Sequence, residues 1–385
     1  MIAIVILNKI GGISQWNLSY TFNSNHPLSE ETYIVLISCI EEKSNWIDTS
    51  EYAEEKVIKY EYSKFENQYF VKKRLNKIFN QYKLIVCNDQ FELSAISLIK
   101  KRPHIVANIA DWYNLSYVNE YYNLIDGFIT LSPQMQDVIN SASTFPKASY
   151  VRHGVSISEI SNDLNSKHSR KTLVFLGRLV KSKGCMDLIN IENELKKSNI
   201  EVFWKIIGSG PLEMTIKDDW KTKENVAFLK PKNNKEVYEC LAGCDILVLP
   251  SVFEGYGIAI LEAMSLGVIP AVYKLPLGIT EELNDSNSII SNSFNVNELT
   301  QKIIQTLLKP DHLLKLQINA QKFVRKEFDI EITSNKYFEY FETVYQLEIN
   351  QSSFKNYKKT SIMDSKITPN FLTLLIRKIK SYVFS

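Results

Sequence analysis

The densest run of chemically useful residues is Pro250-Ser251-Val252-Phe253-Glu254-Gly255-Tyr256-Gly257-Ile258-Ala259-Ile260-Leu261-Glu262-Ala263. An apolar stretch precedes it and helical spacing follows, so its glycines fall at a helix N-terminus. Backbone amides there point outward, and the helix dipole favours an anion or a polar oxygen. Gly255 and Gly257, on either side of Tyr256, let a ligand approach the backbone closely. Glu262 lies eight residues beyond Glu254, inside the helix, where a carboxylate can accept two hydroxyl hydrogen bonds. Taken alone, the same pattern equally describes an ordinary strand–turn–helix with a solvated glutamate at each end.

Two further segments have a similar build. In Val174-Phe175-Leu176-Gly177-Arg178-Leu179-Val180-Lys181-Ser182-Lys183-Gly184 a strand ends at Gly177, and Arg178 and Lys183 flank the loop into the next helix. Arg offers a bidentate fork and Lys a point charge, a combination that suits a diphosphate. In isolation, two solvated surface cations are the simpler reading. Ile206-Ile207-Gly208-Ser209-Gly210-Pro211 is again a glycine turn leaving a strand. Ligands of open α/β sheets bind outside such strand ends.

A parallel sheet is needed to bring these loops together. Over the first 150 residues, Ile2–Leu7, Tyr33–Ile37, Leu84–Cys87, Ile105–Ile109, Gly127–Leu131 and Ser149–Val151 read as strands. They are near-continuous apolar runs without internal proline, as in a sheet covered on both faces. Phe70–Asn80 and Phe91–Lys100 have helical spacing between them. A second series follows, with strands at Thr172–Leu176, Glu201–Ile207, Val226–Leu229, Ile246–Leu249 and Val268–Val272. Its helices are Cys185–Lys197, Lys235–Ala242, Gly257–Leu266, Val296–Leu308 and Asp311–Glu327. The expected organisation is therefore α/β, with doubly wound domains over 1–155 and 171–334 joined by a polar, aperiodic linker at 156–170. An amphipathic helix over 335–350 is expected to cross back to the first domain, ahead of a basic tail at 351–385 whose first part, 351–370, looks loose and polar.

The 385 residues suit two domains, and 45% hydrophobic with 23% charged residues is the profile of a globular chain. No apolar run approaches the length of a bilayer span. The apolar opening Met1–Leu7 lacks a basic n-region and reads as a buried strand rather than a signal peptide. Cys39, Cys87, Cys185, Cys240 and Cys244 have no framework spacing, so buried free thiols in a reducing cytoplasm are expected rather than disulfides or a zinc site. His26, His104, His168 and His312 show no pairing pattern. No Asp-x-Asp occurs, so no metal-bridged diphosphate is expected. No Gly-x-Gly-x-x-Gly follows the first strand, which argues against a dinucleotide dehydrogenase.

Together the three glycine segments, in this order and spacing, strongly resemble the retaining GT-B glycosyltransferases of family 4, also called glycosyl transferases group 1. The resemblance covers residues 151–345 well. It reaches the N-terminal half only through architecture and the Gly11-Gly12 pair. It implies two Rossmann-like doubly wound domains facing a central cleft. By that resemblance Arg178 and Lys183 bind the donor diphosphate, and Gly177 ends the strand before them. Gly255, Tyr256 and Gly257 face the donor sugar and phosphate, with Glu254 beside them, while Glu262 holds the ribose hydroxyls. Gly208 and Gly210, with the loop at Lys230-Pro231, lie beside the base. Gly11 and Gly12 resemble the family's loop that closes over the phosphate from the other domain.

The chain departs from the family pattern in three places. His153-Gly154-Val155 stands where Asn-Gly-Val is common. Leu277-Gly278 replaces a glycine pair before Glu281. Ala107-Asn108-Ile109-Ala110-Asp111-Trp112 occupies a region where many members carry a histidine. Asp111 stands in a comparable place, either as the acceptor-side catalytic group or as a buried structural aspartate.

The net charge of +2 is uneven. Between Gln351 and Ser385, Lys355, Lys358, Lys359, Lys366, Arg377, Lys378 and Lys380 face one acid, Asp364. An acidic body with a basic tail disfavours nucleic acid as a partner. Within the tail, apolar residues at 371, 374, 375, 379, 382 and 383 have helical spacing. That fits an interfacial helix on an anionic membrane surface, or one docked on the protein itself or a subunit.

The function the resemblance implies is transfer of a sugar from a nucleotide diphosphate sugar, with retention, to a glycan or lipid-linked glycan acceptor. It would serve bacterial surface polysaccharide synthesis (O-antigen, capsule or lipopolysaccharide), without metal or other cofactor, in the cytoplasm or at the inner face of the cell membrane. A sugar-nucleotide epimerase on the same fold and a non-catalytic donor-binding scaffold are the alternatives. Acceptor dependence separates the first, and donor hydrolysis the second.

Overall fold

The computed structural model describes residues 1–9, 12–47, 49–50, 52–99, 101–110, 112–115, 120–142, 147–157, 171–231, 233–276, 278–349 and 361–383. The chain forms two compact units, Met1–Arg152 with Glu331–Ser385, and His153–Ile330.

Unit 1 is built on β1 (Ile2–Leu7), β2 (Thr32–Cys39), β3 (Val57–Tyr62), β4 (Leu84–Cys87), β5 (His104–Ile109), β6 (Gly127–Thr130) and β7 (Ala148–Tyr150). They pair in the order β3-β2-β1-β4-β5-β6-β7, all parallel. The helices α1 (Gly12–Phe22), α2 (Gln68–Phe79), α3 (Gln90–Ile96) and α4 (Pro133–Ser141) cover the sheet. The strand β3 is absent from the sequence reading because it lies at the sheet edge and alternates buried Val57 and Tyr60 with solvated charges. Helix α1 also escapes periodicity, since Ser14, Trp16, Asn17, Leu18 and Tyr20 are buried around much of its circumference. A buried amide cluster ties it down. Asn88 Oδ1 accepts from Asn17 at 3.1 Å and Asn108 at 2.9 Å, and Asn88 Nδ2 donates to the Val5 carbonyl at 2.8 Å.

Unit 2 holds β8 (Lys171–Leu176), β9 (Val202–Ile207), β10 (Val226–Leu229), β11 (Ile246–Leu249), β12 (Ile269–Tyr273) and β13 (Ile289–Ser291). Their order is β10-β9-β8-β11-β12-β13, again parallel throughout. The order reverses between β8 and β11, which makes their carboxyl ends the place where an open sheet binds ligands. Helices α5 (Leu188–Lys197), α6 (Glu213–Asp219), α7 (Asn234–Leu241), α8 (Ile258–Ser265), α9 (Val296–Leu307) and α10 (Pro310–Glu327) complete the unit.

The chain returns to unit 1 through α11 (Ile330–Tyr345), whose Tyr337 ring stacks on Tyr20 at 4.6 Å and donates its hydroxyl to the Val151 carbonyl at 3.0 Å. Of the tail stretch expected to be loose, 351–360 lies outside the described residues, and 361–369 is anchored. Asn67 caps α2 and also donates to the carbonyls of Ser365 and Thr368 at 2.9 and 2.8 Å. The final helix, α12 (Asn370–Val383), follows that anchor.

Candidate functional site

The site grows from three strand ends in unit 2. Beyond β8 the Gly177 amide donates to the Ile207 carbonyl at 3.0 Å, and Leu179 N donates to Ser209 O at 2.9 Å. The loops after β8 and β9 are thus fastened backbone to backbone. Gly208 makes this possible: at φ +144 a Cβ would stand 1.9 Å from the Gly177 carbonyl oxygen. A side chain there would push the Arg178 loop out of place. Gly210 lies in the same turn, and the Gly208 amide reaches back to Leu229 O at 3.3 Å, which brings the end of β10 alongside.

The loop after β11 is joined to the same assembly by Val252 N, which donates to Ser182 O at 3.0 Å. It enters α8 through Gly257, the N-cap residue, at φ +88 in the left-handed region. A Cβ on Gly255 would meet nothing within 4 Å, so the protein leaves open space at that point of the loop. The turn Gly278–Glu281 closes behind it, with Ile279 N donating to Tyr256 O at 2.9 Å.

Charge is distributed unequally over these loops. Lys183 Nζ pairs with Glu254 Oε2 at 2.5 Å, and Glu254 is only 8% exposed. Its other oxygen, Oε1, is buried without a hydrogen-bond partner among the described residues, as is the Ser251 hydroxyl. Arg178 is exposed. It makes no ion pair among the described residues. A free cation, a paired cation and an open carboxylate oxygen around a loop entering a helix can together hold a polar anion and a hydroxyl-bearing group.

Glu262 sits within α8, and desolvation pushes its carboxyl up to about 7. His153 is buried, with its ring centroid 4.4 Å from that of Tyr256, and desolvation holds its imidazole well below the usual range. It therefore stays neutral. Lys230 forms an ion pair with Glu213 of α6 at 2.8 Å, shared with Lys217. These two partners, through hydrogen bonds first, lower the Glu213 carboxyl.

Of the residues singled out from the sequence, Gly177, Arg178, Lys183, Gly208, Gly210, Glu254, Gly255, Tyr256 and Gly257 fall on these interlocked loops. Gly12 opens α1 of unit 1. Gly11 and Asp111 lie outside the described residues. Ser251 and the contact of His153 with Tyr256 were not read as site features. Ser251 carries no signal beyond its place before the glycine loop, and His153 stood out only as a departure from a family pattern. Cys39, Cys87, Cys185, Cys240 and Cys244 are free.

Residues 156–323 match the model of the family described as Glycosyl transferases group 1. An uncharacterized glycosyltransferase of Bacillus subtilis, YqgM, is 23% identical over 223 residues, covering 57% of this chain and 62% of that protein. The poly(ribitol-phosphate) alpha-N-acetylglucosaminyltransferase of Staphylococcus aureus is 25% identical over 197 residues, 49% of this chain and 38% of that protein. The match thus spans less than two thirds of the length of these curated relatives. Among solved structures, Anabaena HepE in complex with UDP and glucose superposes with a TM-score of 0.71 at 17% identity, covering 89% of this chain and 99% of that one. The fold is accordingly GT-B, and residues 156–323 are similar to glycosyltransferase domains of group 1.

Proposed function

We propose that this protein is a retaining glycosyltransferase of family 4. It would move a sugar from a nucleotide diphosphate sugar to a glycan or lipid-linked glycan acceptor, in the assembly of a bacterial surface polysaccharide at the inner face of the cell membrane. The observation that carries the reading is Glu254 Oε1, buried ahead of α8 without a partner among the described residues, on a loop tied through Lys183 and Ser182 to the one that carries the exposed Arg178. When the bond between the sugar and the diphosphate breaks, its electron pair leaves on the diphosphate. Arg178, Lys183 and the amides of the Gly255–Gly257 loop then stabilise the charge that develops. Glu254 Oε1 accepts a hydroxyl of the donor sugar, and Glu262 accepts the ribose hydroxyls. HepE, whose structure holds UDP and glucose, supports a uridine donor, and the Staphylococcus aureus relative's name supports a cell-surface polymer as acceptor.

A thermal-shift panel of nucleoside diphosphates tests the donor half of this reading. A ligand at a hundred times its dissociation constant stabilises by about 2.7 kcal/mol, so UDP is expected to raise the melting temperature where GDP and ADP do not. Transfer is then assayed with the corresponding nucleotide sugars on glycan and lipid-linked acceptors. No stabilisation by any nucleoside diphosphate would overturn the proposal.

A further inference from the structure

The final helix is docked with its apolar stripe facing away from the protein. Phe371 is 71% exposed, Leu375 55% and Ile379 53%, and Leu372 lies beside them at 39%. Leu374 and Ile376 are half-buried, but the contacts that fasten the helix to the body are polar. The Thr373 hydroxyl is fully buried and donates to the Met363 carbonyl at 2.9 Å. Arg377 donates to Asp364 at 2.8 Å and to the Glu66 carbonyl at 2.6 Å. Asp364, itself 1% exposed, also accepts the Gln68 amide at 2.9 Å, and Asn370 Oδ1 accepts the Asn67 amide at 2.8 Å. An amphipathic helix that served only to cover its own body would be turned the other way, with its apolar side chains beneath it.

We infer that this outward stripe is a bilayer-contacting surface, held rigidly on unit 1 by the Asp364–Arg377 anchor and selective for anionic lipid. At 3.6 residues per turn, Phe371, Leu375 and Ile379 share one face, Lys378 falls on its edge beside Phe371, and Lys380 lies about 100° beyond Ile379. Both lysines and Lys366 are exposed. Long cationic side chains flanking an apolar stripe keep their charges at the headgroups while the stripe enters the acyl boundary. The charge pattern also decides between occupants. Pairing with a second copy would gather two sets of these lysines into one interface, whereas an anionic leaflet neutralises them. This surface rests on the membrane location proposed above, but vesicle binding is read independently of sugar transfer.

The test uses the full chain with vesicles of phosphatidylglycerol and phosphatidylethanolamine in equal parts, against phosphatidylcholine alone. The wild type is expected to sediment with the anionic vesicles only and to be released by high salt. Three cations near such a surface account for about a hundredfold in affinity, so the combined Lys366→Gln, Lys378→Gln and Lys380→Gln variant is expected to lose that much at low salt. The combined Phe371→Ser, Leu375→Ser and Ile379→Ser variant is expected to lose at least tenfold. Both should keep the wild-type melting temperature, because every replaced side chain is exposed. Undiminished vesicle binding by the serine variant would overturn the inference. So would a wild-type dimer in light scattering that the serine variant dissociates, which would make a second copy the occupant. Transfer to a soluble acceptor, measured on the same variants, is expected to persist; its absence in the wild type would count against the enzymatic reading alone.

Discussion

Lys183 and Glu254, 71 residues apart in the chain, form an ion pair that joins the loop after β8 to the loop after β11. It bridges the two strands between which the sheet order reverses. The pair satisfies one carboxylate oxygen of Glu254 and leaves the other open, so the two residues hold each other in place while each keeps capacity for a ligand. Arg178 has no such tie among the described residues, and the two cations of the segment are therefore not equivalent.

That inequality can be measured. Charge-assisted hydrogen bonds contribute about 1.5–3 kcal/mol each, so Arg178→Ala and Lys183→Ala should each lower donor turnover by about ten- to a hundredfold. Only Lys183→Ala should also lower the melting temperature, because it strands the buried Glu254 carboxylate at a cost of about 1–3 kcal/mol. Steady-state kinetics beside thermal unfolding would show this split. Wild-type turnover in either variant would remove the diphosphate assignment.

The two glutamates should separate by ligand and by pH. Glu262→Gln should weaken binding of the nucleoside diphosphate itself, whereas Glu254→Gln should lower turnover and leave that binding largely intact. The Glu262 carboxyl titrates near 7 in the folded protein, above its ordinary 4.5. Ribose hydroxyls donate best to the ionised form, so calorimetric affinity in the wild type should fall several-fold between pH 8 and pH 6, more steeply than in Glu262→Gln. Equal loss of nucleotide affinity in both glutamine variants would contradict the division.

The same shift has a consequence for stability. Between pH 4.5 and about 7 the unfolded chain releases a proton from Glu262 that the folded chain retains. The contribution of this group is therefore fully present below 4.5, declines as pH rises, and is lost above 7. Chemical denaturation should find Glu262→Gln more stable than the wild type at pH 8, with the advantage shrinking towards pH 4.5.

Gly255 offers a probe of the donor itself. A Cβ there meets no protein atom within 4 Å, so Gly255→Ala should fold with the wild-type melting temperature. If the donor occupies that space, KM for the nucleotide sugar should rise by about tenfold or more. Gly208→Ala is the contrasting case: its Cβ would collide with the Gly177 carbonyl, and stability itself should drop. An unchanged KM in Gly255→Ala would place the donor elsewhere.

With cationic side chains and a helix terminus assigned to the diphosphate, turnover should survive EDTA. Loss of activity on chelation with rescue by magnesium or manganese would overturn the metal-free mechanism.

Local sequence determined a good deal of this protein. The strands β1, β4, β10 and β11 have the same ends in the sequence as in the structure, because each is an unbroken apolar run bounded by polar or glycine residues, the half-buried edge strand β10 included. The glycine segments were visible as loops leaving such strands for the same reason. Tertiary structure decided what depends on neighbours distant in the chain. The edge position of β3 let it carry charges that mask a strand, and burial around much of α1 erased its stripe. The pairing of Lys183 with Glu254 depends on β8 and β11 lying side by side, which sheet order sets and local spacing does not. The spacing of Phe371, Leu375 and Ile379 announced an amphipathic helix, but an apolar stripe is the same facing in or out. The contacts of Asn67 with Ser365, Gln68 with Asp364 and Glu66 with Arg377 turned it outward, and they join residues about three hundred positions apart, beyond the reach of any periodicity.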